Sequence, residues 1–528
     1  MLDVCIRGGF VLDGSRKPAF LSDVGIQNGS IVAIGDLSET PAQTNIDARN
    51  LTVCPGFLDL HRHADAAMFR NGFGTGELMQ GLTTVGNGNC GLSLAPQCGN
   101  REAIAAYLKP VTGDFSDIPT ESLAAYHDAL KRQKKPIHSL MLAGGGTIRA
   151  SVAGFLKTRL DDEDFRRIHA LLERTLSEGA YGVSLGLGYA PECFYSTDEL
   201  IRALEPLRGG KTVVSVHMRE EAMRLLPSID EVLTVAKTLR IPLQISHLKA
   251  TGKENWNRLA PLALERIARA REDGVDVCCD VYPYTAGSTQ LMHILPPEML
   301  RGGTAAVTER LKDRSLRASL LDRLANGTDF DNYSRLVGWE NILLSAIRNP
   351  EDAPLVGKSI AEAAGSADPA VFALDLLARN ECEVTMIDFI TTESDIATIL
   401  QSPLSYVISD ATYPTGGKLH PRVYGAFSMV IEEYVNRRGA LTLPEAVHKM
   451  TMRPADRYGL KRKGRIAPQA DADILVFSPK DVRVCATYEN PTQCSEGMRY
   501  VLVNGQCAVC DGKRTDVYAG TFLEGTVC

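Results

Sequence analysis

The stretch Pro55-Gly56-Phe57-Leu58-Asp59-Leu60-His61-Arg62-His63 decides how the chain is read. The apolar run from Leu51 to Leu60, interrupted by Pro55 and Gly56, predicts a buried strand, and it ends in two histidines spaced i, i+2. Side chains two apart on a strand point to the same side. Both imidazoles therefore aim at one spot just past the strand's carboxyl end, where a metal can sit. A shared hydrogen bond would also place two histidines there, so the decision falls to the rest of the chain.

Downstream of Pro55 short apolar strands alternate with helical stretches as far as about Leu460, the signature of a parallel α/β sheet. Eight strands are expected, at 57–61, 82–86, 138–143, 181–185, 212–217, 242–247, 275–282 and 404–410. Amphipathic helices lie between them, one opened by the capping box Ser196-Thr-Asp-Glu199. Eight strand–helix units predict an α/β fold of the (β/α)8 TIM-barrel class, with its chemistry at the carboxyl ends of the strands. More than a hundred residues separate Val281 from Leu404, too many for one crossover. The polar, largely helical part of that excursion, about 288–350, is expected to be an insertion, either a lid over the barrel mouth or an excursion away from it.

Upstream, residues 1–54 alternate short β-rich runs with turn signals, Asn28-Gly29 the clearest among them, and β-rich texture returns over 461–528. The two ends most simply pair into one small β-sandwich flanking a barrel over 55–460.

A chain of 528 residues, 44% hydrophobic, is long enough for a large core. A net charge of −7 without long runs of one sign argues against nucleic acid and anionic membrane as partners. No run of about 18 apolar residues predicts a membrane span, and Met1-Leu2-Asp3-Val4 opens no basic, then apolar, leader. A cytoplasmic location is expected. Oligomeric state is not readable. Thirteen scattered cysteines favour free thiols, and Cys507-Ala-Val-Cys510 reads as two thiols near a hairpin turn because no second pair follows.

At the strand ends stand His61 and His63 on the first, Cys90 just past the second, His217 on the fifth, His247 on the sixth and Asp410 on the eighth. Nitrogen, thiolate and carboxylate ligands together suit Zn²⁺ or a similar borderline metal. The other six histidines fall in helical patterns, loops or, for His138, at a strand start on the stability face.

These residues carry a resemblance. The stretches 55–63, Gly81-Leu-Thr-Thr84 with Gly88-Asn-Cys-Gly-Leu-Ser-Leu-Ala-Pro96, Val216-His-Met-Arg219, Ile245-Ser-His-Leu-Lys249, Asp280-Val-Tyr-Pro-Tyr-Thr-Ala-Gly-Ser288, Ser409-Asp410 and His420-Pro-Arg-Val-Tyr-Gly425 resemble the N-acyl-D-amino-acid deacylases (D-aminoacylases) of the amidohydrolase superfamily. The likeness runs from end to end. It implies one tightly held zinc on Cys90, His217 and His247, with His61, His63 and Asp410 lining a weaker second position. It also implies hydrolysis of an N-acyl-D-amino acid with Asp410 as general base and then general acid. The substrate's α-carboxylate would be held by Lys249, Tyr282, Ser288 and Arg422. Many amidohydrolases bridge two metals with a carboxylated lysine after the fourth strand, but Tyr181-Gly-Val-Ser-Leu-Gly186 has none. This counts against the alternative, a hydantoinase- or dihydroorotase-like hydrolase of a cyclic amide.

Two departures stand out. Gly145 replaces a histidine usual in the family, which would remove a polar contact to the substrate carbonyl and widen the pocket. Arg62 stands where a small residue is common, and strand geometry points it away from the metal.

Overall fold

The computed structural model describes residues 1–525, so the last three residues of the expected 461–528 segment, with Cys528, lie outside the described residues. All eight expected barrel strands are present: Phe57–Asp59, Leu82–Asn87, His138–Met141 continuing as Ala143–Gly144, Gly182–Gly186, Val213–His217, Leu243–Ile245, Val277–Val281 and Ser405–Val407. They pair in parallel in chain order, the first three in one sheet and the third to the eighth in another. The third strand belongs to both sheets. Across its bend the Leu142 N–H donates to the Asn87 carbonyl, and the Tyr181 N–H to Met141, each at 2.9 Å. The ring closes between the eighth and first strands, where Asp410 N–H donates to the His61 carbonyl and His63 N–H to that of Ala411, both at 2.9 Å. Closure explains the unbroken apolar runs, since each strand is covered on both faces.

The chain ends meet as expected. Thr52–Pro55 pairs antiparallel with Ile474–Phe477 inside one nine-stranded sheet that also holds Leu2–Val11, Phe20–Gln27, Ser30–Gly35 and Met498–Val503. Ile6, Val24, Ile26, Val53, Ile474, Val476 and Leu502 form its own apolar core. Phe57 ties this sheet to the barrel, lying 6.0 Å from Phe427 and 6.5 Å from Phe477 between ring centroids. A buried Phe truncated to Ala typically costs ~3–5 kcal/mol. His138 sits at the opposite end of the barrel from the expected metal ligands, 3.1 Å from Asp473 of the terminal sheet.

Between the seventh and eighth strands the excursion has the expected helices, Gly303–Lys312 and Arg314–Asn326, and also a three-stranded antiparallel sheet. Its middle strand, Val384–Phe389, pairs with Ala286–Gln290 and Ile342–Ile347. The excursion is therefore mixed rather than helical, and it runs well past residue 350. A buried middle strand shows no alternation, so its sequence did not distinguish it from a helix core. Among the described residues no helix is long and apolar enough to cross a membrane.

Candidate metal centre

The six strand-end residues converge. His61, His63, Cys90 and Asp410 form one group and Cys90, His217 and His247 a second, the ligand atoms within each group lying within 4.8 Å of one another. Cys90 Sγ is the shared atom, 3.2 Å from His61 Nε2 and 3.6 Å from His247 Nε2. His217 Nδ1 lies 2.9 Å from His247 Nε2, and Asp410 Oδ1 lies 3.4 Å from His61 Nε2 and 3.3 Å from His63 Nε2.

Three of the six have left-handed backbones: Cys90 at φ +53°, His247 at +34° and Asp410 at +53°. Such angles are uncommon outside glycine and cluster where a site over-determines the chain. Here each turns a side chain inward just as its strand ends.

The donor chemistry fits zinc. Burial drives His61 and His217 well below the ordinary imidazole range, which keeps them neutral and able to ligate. Burial, with the Asp410 carboxylate nearby, pushes the Cys90 thiol well above its ordinary range, so a thiolate here needs a cation beside it. Burial opposes the charged form of Asp410 too. The Arg422 guanidinium and the imidazoles of His63, His61 and His247 outweigh it and hold that carboxyl well below the usual carboxylate range.

Several supporting residues were not assigned from the sequence. Glu221 Oε1 lies 3.1 Å from His247 Nδ1, orienting the ring from behind. Nothing in the run His217-Met-Arg-Glu-Glu221 marks it, because its partner is distant in sequence. Asp280 accepts the His247 backbone N–H at 2.6 Å and the Gln244 amide at 2.8 Å, and burial raises its pKa to about 7. It stands at the end of the seventh strand, so its strand-end position was the available signal. Tyr189 stacks on the His217 ring at 4.3 Å. Gly188 leaves room for that ring, for an added Cβ would come within 2.9 Å of His217 Nε2.

The four expected substrate contacts gather beside Asp410. Arg422 NH1 lies 3.1 Å from Asp410 Oδ2, and the guanidinium lies over the Tyr282 ring at 4.8 Å. The Ser288 carbonyl accepts from Arg422 NH2 at 3.4 Å, and the Ser288 hydroxyl contacts that of Thr412 at 3.2 Å. Lys249 Nζ pairs with Glu221 Oε2 at 2.6 Å.

Both departures take a different shape in three dimensions. Gly145 does not widen the pocket, because Glu192 fills the space: an added Cβ would meet Glu192 Oε1 at 2.5 Å. Glu192 Oε2 also accepts the Gly186 N–H at 2.7 Å, occupying the end of the fourth strand. Arg62 does point away from the metal position, yet it is fully buried and bonds Asp59 at 3.1 Å, Glu77 at 2.8 Å and the Tyr413 hydroxyl. Asp59 in turn accepts from the Ser409 hydroxyl at 2.5 Å and its N–H at 3.0 Å. The residue between the two histidines thus anchors the loop that carries Asp410. The Cys507-Ala-Val-Cys510 run lies on the strand Gln506–Cys510, both thiols free.

The "Amidohydrolase family" model matches residues 385–509. The chain is 32% identical over 525 residues to the D-aminoacylase of Alcaligenes xylosoxydans xylosoxydans, covering 99% of this chain and 98% of that one. The chain belongs to the D-aminoacylase family of amidohydrolases. An N-acyl-D-glutamate deacylase from the same organism is 34% identical over 514 residues, with 96% and 93% coverage. Among solved structures, a D-aminoacylase studied for its binuclear metal centre aligns over the full length of both chains at a TM-score of 0.83 and 30% identity. The family likeness expected from the sequence is thus borne out, and with it the amidohydrolase barrel bearing an extra β domain. An L-hydantoinase from Arthrobacter aurescens, at 16% identity and a TM-score of 0.60, shares the fold alone.

Proposed function

We propose that this chain is a zinc-dependent deacylase that hydrolyses the amide bond of N-acyl-D-amino acids, giving a carboxylate and a free D-amino acid. One observation carries this reading: Cys90 Sγ is common to both ligand groups, with four strand-end histidines and Asp410 around it. Cys90, His217 and His247 would hold zinc, with His61, His63 and Asp410 beside them, and the metal would supply an activated water, its pKa lowered from about 15.7 to roughly 7, and a polarised carbonyl.

The chain's own groups do the rest. Asp410 Oδ2 rests on Arg422 while Oδ1 faces the histidines, so Oδ1 is the atom that takes the water's proton and returns it to the leaving amine. Arg422 is fully buried, and its Nε has no hydrogen-bond partner. Buried N–H groups are rarely left unpaired, and a substrate α-carboxylate provides the missing acceptor, with Tyr282, Ser288 and Lys249 around it. The free cysteines among the described residues suit a reducing compartment such as the cytoplasm.

The test is a panel of N-acylated D- and L-amino acids incubated with the zinc-loaded enzyme, free amine being measured, beside hydantoin and dihydroorotate. D-substrates should be cleaved, and Asp410→Asn should lose at least about a hundredfold in kcat, the lower range for a general acid–base. Turnover of the cyclic amides alone, or near-normal kcat in Asp410→Asn, would refute the proposal.

A further inference from the structure

Beside the metal ligands lies a cavity of about 110 Å³, bounded below by His217, Arg219, Glu220 and Glu221 and above by His293, Asp331 and Tyr333 of the excursion between the seventh and eighth strands. It reaches the ligand His217, so any group that extends from an amide bound at the centre in this direction enters it.

Its electrostatics are one-sided. Arg219 is the cation in the wall, and four of its five N–H donors are already engaged: two bonds to Glu231 at 2.8 and 2.9 Å and one each to the Cys193 and Tyr195 carbonyls at 2.8 Å. Lys249, which does not line the cavity, is paired with Glu221. Glu220 has the exposed Arg224 at 3.2 Å. Asp331 makes no ion pair among the described residues and accepts the Glu221 backbone N–H at 2.6 Å. Burial, against that hydrogen bond and with the charges of Glu220 and Glu221, raises its pKa to about 7. A second carboxylate of the excursion, Asp388, lies outside the cavity wall, is 2% exposed, has an unpartnered Oδ1 and feels the charges of Lys249 and Arg422. The charges of Asp388, Asp331 and Glu221 all act on the Tyr333 phenol, which burial already raises well above its ordinary range.

His293 is the independent sign of a ligand. It is 9% exposed, its ring lies 4.5 Å from Tyr189, and its Nε2 has no hydrogen-bond partner. Burial lowers its pKa to about 3, so the ring is neutral and one nitrogen can accept a hydrogen bond. A buried acceptor, a carboxyl group without an ion-pair partner that a bound cation would ionise, and no unengaged cation in the wall together describe a pocket for a positively charged donor, and one that offers an acid no partner.

We propose that this cavity takes a variable substituent of the substrate and selects one that ends in a positively charged hydrogen-bond donor, as in N-acyl-D-lysine or N-acyl-D-arginine, over a carboxylate side chain. The inference rests on the deacylase reading given above. It separates this chain from the N-acyl-D-aspartate and N-acyl-D-glutamate deacylases of Alcaligenes xylosoxydans xylosoxydans to which it is similar. Discrimination of this kind needs only that the arginine in the wall be engaged elsewhere while an acid stays without a counter-charge, because a like charge brought against it is repelled and an opposite one is held.

The test compares kcat/KM of the zinc-loaded enzyme for N-acetyl-D-lysine, N-acetyl-D-norleucine and N-acetyl-D-glutamate. A fourth substrate, N-(6-aminohexanoyl)-D-alanine, carries the ammonium on the acyl group. A cation should be favoured about tenfold or more over norleucine, the effect of one partly desolvated charge pair, and glutamate should be the poorest. If the aminohexanoyl compound rather than N-acetyl-D-lysine shows the gain, the cavity serves the acyl side. Asp331→Asn should reduce the cation-to-norleucine ratio about tenfold, and Glu220→Gln provides the same reading should the first variant fail to fold. Glutamate cleaved as well as lysine, or a ratio unmoved in the folded variants, overturns this inference and leaves the deacylase reading standing. Cleavage of none of the four overturns both.

Discussion

Replacing Arg62 with methionine tests whether the network behind the ligands is structural bedrock for the site. Arg62 is fully buried and holds Asp59 and Glu77, themselves buried, at 3.1 and 2.8 Å, with the Val423 carbonyl at 3.4 Å. Methionine fills most of the volume, so little is lost to a cavity. The damage is two carboxylates left in the core without a counter-charge, a change that costs about 3–5 kcal/mol. Against a typical total stability of about 5–15 kcal/mol this is large. Urea unfolding of the zinc-loaded protein at pH 7 should show a midpoint well below wild type at an unchanged slope. Because Asp59 also fixes Ser409, which precedes Asp410, kcat should fall in the fraction that remains folded. Arg62→Lys, which keeps the charge but not the fork, should recover part of the stability. A loss under about 1 kcal/mol with normal kcat would show that the network neither holds the fold nor places Asp410.

Three further outcomes are expected. Asp473 is buried, which opposes its charge, yet His138 and Lys463 hold its carboxyl well below the usual range. That contribution is complete above the unfolded value of about 3.9 and fades as pH falls toward the folded one. Wild type should therefore exceed Asp473→Asn in stability most at neutral pH, with the gap closing below about pH 4, as read by thermal unfolding across pH. Gly188→Ala should fold but retain less zinc after dialysis, since its Cβ presses on His217 Nε2 from 2.9 Å, and elemental analysis checks this. Gly145→His should not restore a family-like site. Its Cβ meets Glu192 Oε1 at 2.5 Å, so melting should fall by several degrees unless Glu192 is shortened as well.

Local pattern carried much of this account, and it failed where long-range pairing took over. The i, i+2 spacing of His61 and His63 and the terminal positions of Cys90, His217, His247 and Asp410 were legible because strand ends are where such barrels collect chemistry. The antiparallel strand Val384–Phe389 was not, since both its neighbours lie far along the chain. Glu221 was hidden for the same reason: its role exists only through contact with His247 and Lys249 across the barrel mouth. Gly145 and Arg62 were visible as departures, but what they do depended on Glu192, Glu77 and Tyr413, which no spacing in the sequence brings together. The left-handed backbones at Cys90, His247 and Asp410 likewise leave no trace in residue type.

The proposed centre stands on one thiolate, Cys90, sharing a cation with histidines from separate strands. Zinc K-edge X-ray absorption on the zinc-loaded protein addresses it directly. A single sulfur scatterer at about 2.3 Å is expected with nitrogen or oxygen ligands at about 2.0–2.2 Å, the sulfur vanishing in Cys90→Ala. A spectrum fitted by nitrogen and oxygen alone, or one unchanged by Cys90→Ala, would contradict it.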